Sequence, residues 1–276
     1  MSNNPLALPE TFDFHGQSVR WGRMGHEGPA VVMVHGTPFS SYVWRRIAPL
    51  LAEHYQVFYY DLLGYGQSEQ REGQDVSLGI QNDLLAALLA HWEVERPHVV
   101  AHDFGGATSL RAHLLNKAEY ASLTLIDPVA IAPWGTPLIR HVRRHEQAFS
   151  EAPAYVHEAI VNAYIKGSTH RPLHAEDFQA YVKPWTGDVG QAAFYRQIVQ
   201  MDEQYTDEIE QRFGEISCPV LLLWGEQDDW IPIAQGDELA RRIPGITYVR
   251  VPGAGHLVQE EAPEVIVAQL FNFFRT

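Results

Sequence analysis

The stretch Val99-Val100-Ala101-His102-Asp103-Phe104-Gly105-Gly106 decides the fold. Pro97 to Ala101 is an apolar run that reads as a buried strand; it breaks at a tight turn of small residues, and Ala107 to Asn116 then reads as a helix. Strand, turn and helix in that order are the setting of a nucleophile elbow, which holds one side chain exposed at the edge of a sheet. The usual pattern is G-x-S-x-G; here Ala101 stands for the first Gly, Asp103 stands for the Ser, and Gly105 is kept. Asp103 therefore has two readings, a nucleophile or a side-chain N-cap of the following helix.

Outward from the elbow the chain alternates strands and helices. Thr11 to Arg23 alternates polar and apolar residues around His15-Gly16-Gln17, which predicts a hairpin. Ala30 to Val34 is a solid apolar run, as a parallel strand covered on both faces requires. Helical spacing follows over Ser40 to His54, then a strand over Val57 to Tyr60 and a helix over Leu78 to Trp92. Beyond the elbow helix, Ala121 to Ile126 predicts another strand. Residues 130–214 contain no strand-like run, only helical ones near 137–150, 153–166, 175–183 and 188–213. The alternation resumes with Val220 to Trp224, Ile233 to Arg242, Ile246 to Val251 and Pro263 to Phe274. The pattern predicts an α/β fold with a mostly parallel eight-stranded sheet, helices on both faces, and a helical cap inserted after the sixth strand. The expected organisation is core over 1–129, cap over 130–214 and core over 215–276.

Composition bounds the function. A chain of 276 residues, 46% hydrophobic, can bury a large core. Its net charge of −14 disfavours nucleic acid and acidic membrane surfaces as partners and favours neutral or cationic substrates. The single cysteine, Cys218, permits no internal disulfide or cysteine metal cluster. No metal site is expected, since the histidines are scattered and His141, Arg143, Arg144 and His145 form a basic helix face. Gly64 and Gly66 begin no dinucleotide fingerprint, because Glu69 occupies the place of the third Gly. No signal-like segment opens the chain at Met1 to Glu10, and no run reaches the roughly 18 apolar residues of a membrane span. A cofactor-free, cytoplasmic protein, monomer or homodimer, is expected.

Two further stretches fall where open parallel sheets place their chemistry, at the C-terminal ends of strands. Trp224-Gly225-Glu226-Gln227-Asp228-Asp229-Trp230-Ile231-Pro232 follows the seventh strand, and Gly253-Ala254-Gly255-His256-Leu257 follows the eighth. Nucleophile, acid, histidine is a recurring chain order of catalytic triads. With His35-Gly36-Thr37-Pro38 and the Asp61 to Ser68 loop, these residues make the chain resemble the α/β-hydrolase-fold enzymes that use an aspartate nucleophile, namely epoxide hydrolases, haloalkane dehalogenases and haloacetate dehalogenases. The resemblance implies that Asp103 is the nucleophile, His256 the base and Asp228 the group that orients His256. Asp127, at the end of the sixth strand, is the alternative acid. It also implies an oxyanion hole from the backbone N–H groups of Phe104 and Thr37.

The chemistry follows from Asp in place of Ser. A carboxylate is already ionised at neutral pH and needs no base to attack. It suits displacement at sp³ carbon, giving an alkyl ester that water, deprotonated by a histidine, then cleaves. The leaving group is less constrained. Haloalkane dehalogenases carry Trp after the nucleophile and usually Asn after His-Gly, where this chain has Phe104 and Thr37, neither with a side-chain N–H. Haloacetate dehalogenases place arginines beside the nucleophile, where only Arg111 is near. An epoxide needs a proton donor, which the resemblance assigns to cap tyrosines; Phe194-Tyr195-Arg196 resembles one such stretch, and Tyr155 or Tyr164 would be the other donor. Trp134 and Trp185, with Phe149 and Phe194, are candidates for an apolar pocket or for packing within the cap. The leading reading is epoxide opening on a small, mostly apolar substrate. The alternatives are haloalkane or haloacid dehalogenation, C–C, ester or lactone hydrolysis or lyase chemistry with Asp103 as base, and ligand binding without catalysis.

Overall fold

A computed structural model describes residues 6–275. Residues 1–5 and 276, including half of the stretch read as lacking a signal, lie outside the described residues. Eight strands form one sheet in the order β1-β2-β4-β3-β5-β6-β7-β8. They are β1 (Glu10–Phe14), β2 (Gln17–Met24), β3 (Ala30–Val34), β4 (Gln56–Tyr60), β5 (His98–His102), β6 (Ser122–Ile126), β7 (Val220–Gly225) and β8 (Thr247–Val251). The β1–β2 and β2–β4 pairs are antiparallel and all others parallel. This is the mostly parallel eight-stranded sheet expected from the apolar runs. The central strands β3, β5, β6 and β7 are buried on both faces, so they read as continuous apolar runs rather than alternating ones. Each fully buried Val, Leu or Ile there contributes about 1.5–3 kcal/mol.

Twelve α-helices are found among the described residues. In the core lie α1 (Ala48–Leu51), α2 (Leu78–His91), α3 (Phe104–Leu114), α10 (Ile233–Arg242), α11 (Val258–Glu261) and α12 (Pro263–Phe273). Between β6 and β7 the chain forms α4 (Pro137–Arg144), α5 (Glu146–Ser150), α6 (Ala154–Lys166), α7 (Ala175–Val182), α8 (Gly187–Val199) and α9 (Gln204–Glu210). The helix expected over Ser40 to His54 is broken into a 3₁₀ turn, Ser41–Trp44, and the four-residue α1. Pro49 has no N–H to return to the preceding turn, and its ring crowds that turn's carbonyl, so the helix restarts with Pro49 in its first turn. The single helix read over 188–213 likewise divides, where the Asp202 side chain accepts the Gln204 N–H at 3.0 Å and turns the chain.

The strand order reverses on either side of β3, and the loops leaving β3 and β5 meet in the crevice this opens. Buried Asp61, after β4, pins two of the neighbouring loops by accepting the N–H groups of Ser41 and Gln67, both at 2.7 Å. The helical segment is anchored over the same end of the sheet. Asp177 and Tyr181 of α7 meet Arg45 and Glu260 of the core in one buried cluster, with Arg45 2.6 Å from Asp177 and bonded to Glu260 at 2.9 Å.

The elbow is a close crossing in the crevice. A Cβ on Gly105 would overlap the carbonyl oxygens of Val34 and His35, and one on Gly36 would overlap the Asp103 side chain. Gly105→Ala is therefore expected to lower stability by about 3 kcal/mol or to abolish soluble folded protein. Urea unfolding followed by circular dichroism checks this; a loss within experimental error would contradict so close a crossing.

Candidate active site

Asp103 sits between β5 and α3 with φ 52° and ψ −118°, a conformation that non-glycine residues adopt only under constraint. Its backbone is held on both sides: its N–H donates to Ile126 O at 3.2 Å, and its carbonyl accepts the N–H groups of Gly106 at 2.9 Å and Val129 at 3.1 Å. The side chain makes no cap hydrogen bond to α3, which removes the N-cap reading. Instead its two oxygens face different partners. Oδ1 accepts the Thr37 backbone N–H at 2.7 Å, and Oδ2 lies 3.4 Å from His256 Nε2. Phe104, the first residue of α3, lines the pocket with its ring edge-on to Trp134.

His256 follows β8 on a loop whose Gly255 N–H is held by Glu261 at 2.6 Å, and its own carbonyl accepts His102 Nε2–H at 3.0 Å. Its Nδ1 lies 2.8 Å from Asp228 Oδ2. The other Asp228 oxygen accepts the N–H groups of Trp230 at 2.7 Å and Ile231 at 2.9 Å, so the turn after β7 locks this carboxylate in place. Asp229 is exposed, and Asp127 makes no contact of this kind with His256; its Oδ1 accepts the Gly225 N–H at 2.8 Å. Burial is the strongest single influence on His256 and opposes its charge. Asp228 and Asp103 together outweigh it and raise its pKa well above the ordinary value. The resting arrangement is an imidazolium between two carboxylates. His35 and His102 are neutral supports, both lowered chiefly by burial. His35 Nε2 accepts the Leu62 N–H at 2.8 Å, and its Nδ1–H donates to Gly36 O at 2.9 Å.

Above Asp103 lies a narrow pocket with a cavity volume of about 20 Å³. Its floor is Asp103, Thr37 and Phe104, and its walls include Val129, Trp134, Ile139, Tyr164, Met201, Trp230 and Ile231. Tyr164 stacks on Trp230, centroids 4.3 Å apart, and Trp230 in turn covers His256 at 5.0 Å. Burial, with the Asp103 charge adding to it, holds the Tyr164 phenol far above its ordinary pKa, so it remains a protonated donor. Trp134 lines the pocket, but its Nε1–H is committed to Thr206 at 2.9 Å.

Three expected pocket residues lie elsewhere. Tyr155 is 75% exposed. It stands nine residues before Tyr164 on α6, and nine residues make two and a half turns, which puts the two tyrosines on opposite faces. Tyr195 is wholly buried inside the helical segment, its O–H donating to His157 Nδ1 at 3.0 Å, while His157 Nε2–H donates to Trp185 O at 2.7 Å. Trp185 donates its own Nε1–H to Pro38 O at 2.7 Å and so ties the helical segment to the loop after β3. Residues beside the site that escaped the sequence reading include Val129, Ile139, Met201, Trp230 and Gln197. Trp230 stands two residues after Asp228, a position that could have drawn notice. Gln197 accepts the Thr37 hydroxyl at 2.8 Å, and nothing in its local sequence marks it.

These features define an α/β enzyme whose chemistry sits on the loops at the carboxyl ends of parallel strands. The chain belongs to the alpha/beta hydrolase fold family, whose model matches residues 29–263, and it is a hydrolase of that fold. It is 54% identical to an alpha/beta hydrolase fold protein from Burkholderia ambifaria, with a TM-score of 0.94 over 97% of this chain and 98% of the other. An uncharacterized hydrolase, YugF, of Bacillus subtilis is 25% identical over 255 residues, 89% of each chain. A mutant haloalkane dehalogenase from Agrobacterium tumefaciens shares the fold, with 22% identity and a TM-score of 0.80 over 97% of this chain and 96% of its own.

The raised His256 pKa has a consequence for stability. The ion pair's contribution is complete below the histidine's unfolded pKa of about 6.5 and is lost as pH rises through the higher folded value. Asp228→Asn should therefore cost about 3 kcal/mol near pH 6 and clearly less near pH 10. Urea titrations of both proteins at the two pH values test the sign; an equal loss at both would mean that His256 is neutral at rest.

Proposed function

We propose that the protein is a cofactor-free hydrolase in which Asp103 attacks an sp³ carbon and forms an alkyl-enzyme ester, and that its reaction is the opening of an epoxide to a diol. The observation that carries this reading is the division of labour between the Asp103 oxygens. Oδ1 already fills the Thr37 N–H that an esterase of this fold would keep for its substrate's carbonyl. Oδ2, on the His256 side, is free to attack. Once Oδ2 carries the alkyl group, water activated by His256 adds to the Asp103 carboxyl carbon. The negative charge then develops on Oδ1, where Thr37 N–H already donates, with the Phe104 N–H as the second donor. Losing one such donor costs about 2.7–4 kcal/mol of barrier. Asp228 orients His256 and balances its charge in this scheme.

The departing alkoxide of an epoxide must be protonated, and Tyr164 is the phenol in the pocket wall. The helices over 130–214 act as the cap that carries it, and the aromatic and aliphatic lining suits a small, mostly apolar substrate. Halide displacement is the second reading, and one observation favours it. Gln197 Nε2 is buried beside Thr37 without a hydrogen-bond partner and is a candidate donor to an anion.

His256→Gln should attack substrate and fail to release it. Intact mass after incubation with pooled epoxides, haloalkanes and haloacids is expected to show one adduct, mapped to Asp103 and retaining the epoxide oxygen. An adduct lacking its halogen would establish the second reading, and no adduct from any pool would refute both. Tyr164→Phe should slow the alkylation step with epoxides by about 10²-fold while leaving release of a preformed ester within about threefold. Rapid-quench kinetics separates the two steps; unimpaired epoxide alkylation would remove Tyr164 as the donor.

A further inference from the structure

Asp127 is wholly buried, stands at the end of β6 with φ 40°, and has no part in the mechanism above. Its Oδ1 accepts the Gly225 N–H at 2.8 Å, and the carbonyl of the same Gly225 accepts the Asp228 N–H at 3.2 Å. Gly225, at the end of β7, thus links the Asp127 carboxyl to the Asp228 backbone, and the two side chains come within hydrogen-bonding reach of each other. Asp228 accepts two backbone N–H groups on Oδ1 and His256 on Oδ2, which leaves one acceptor site of the carboxylate unused. No donor reaches Asp127 Oδ2, which is buried. An ionised Asp127 would put a second charge with a bare oxygen into the interior beside a carboxylate. Groups so placed keep their proton.

We propose that Asp127 is a positioning residue that carries a proton on Oδ2 and donates it in a hydrogen bond to Asp228, extending the triad to an array Asp127–Asp228–His256–Asp103. The inference rests on the reading of His256 as the base oriented by Asp228. Burial first, and the Asp228 charge second, hold the Asp127 carboxyl well above the usual carboxylate range, against the opposing pull of His256 and the Gly225 N–H. His256 is faced by Asp228, by Asp103 and by the neutral His102 ring at 4.7 Å, while Tyr164 faces the two carboxylates from α6 and His35 faces Asp103 from β3. A neutral donor on Asp228 stabilises that anion and weakens its hold on the histidine proton. Asp127 therefore moderates the very charge that makes His256 a poor base at rest.

Infrared difference spectra and NMR titration of labelled His256 test this without turnover. The wild-type protein at neutral pH should show a carboxylic-acid carbonyl band that disappears in Asp127→Asn. The carboxamide replaces O–H by N–H toward Asp228, so the His256 midpoint should move by less than about 0.3 unit in that variant. In Asp127→Leu, which removes the donor, the midpoint should rise by about half a unit or more. A midpoint that falls in both variants would mean an ionised Asp127 and overturn the proposal. So would an acid band untouched by Asp127→Asn, or a midpoint unmoved in Asp127→Leu. If Asp127→Leu does not fold, the infrared band and the Asp127→Asn midpoint decide. Failure of the adduct experiment would refute the alkyl-ester reading and leave these readouts intact.

Discussion

A carboxylate held in a left-handed backbone conformation, 3.4 Å from a wholly buried histidine, is unfavourable twice over. The backbone conformation costs on the order of 1–3 kcal/mol, and the charge loses most of its hydration. Both costs are met by the arrangement around Asp103. Three backbone hydrogen bonds fix its main chain, to β6, to α3 and to the loop leaving β6. Gly36 and Gly105 let the loop after β3 close to within hydrogen-bonding distance, so that Thr37 N–H reaches Oδ1. The order of the central strands follows from the same demand, since only adjacent β3 and β5 bring those two loops together.

The charges around His256 change during the proposed cycle. At rest two carboxylates hold it protonated, which suits Asp103 because the imidazolium compensates its charge. Alkylation turns Asp103 into a neutral ester. One of the two charges that raise His256 vanishes, burial continues to oppose protonation, and its pKa falls toward the range of a working base. The attack on substrate thus produces the base that the second step requires: the proton His256 sheds restores the Tyr164 phenol, which gave its own to the alkoxide, and the neutral imidazole then takes one from water.

The strands were legible because a parallel sheet covered on both faces demands unbroken apolar runs, and Ala30 to Val34 and Val220 to Trp224 have no competing periodicity. The grouping of Asp103, Asp228 and His256 was legible because tight turns leave few residue choices: Gly105 at the elbow, and the Asp228 side chain capping the N–H groups of Trp230 and Ile231. The walls of the pocket were not. An aromatic residue on an amphipathic helix carries the same signature whether it faces a cavity or a neighbouring helix. Tyr164 and Tyr195 differ in this respect only through tertiary packing, one on Trp230 and the other on His157. Tyr155 could have been set aside from the sequence, because a helix that turns Tyr164 inward turns a residue nine positions away outward. Pro49, whose break in the helix after β3 is a local steric effect, was equally available.

In the proposed reaction the leaving group is decided by which N–H and O–H groups remain uncommitted once the helical segment is seated. The two tryptophans expected from the sequence to line the pocket illustrate this. Trp134 Nε1–H is taken by Thr206 and Trp185 Nε1–H by Pro38, so neither of these two indoles is left to hold a halide, although an indole N–H serves well as an anion donor. A phenol with a raised pKa is poorly suited to cradle a halide permanently, yet it can give its proton to an alkoxide, a far stronger base. Tyr164 keeps that proton available because stacking on Trp230 buries the ring and the adjacent Asp103 charge opposes its ionisation. In the proposed reaction the carboxylate that attacks the substrate therefore also helps to keep its acid partner protonated until the ring opens.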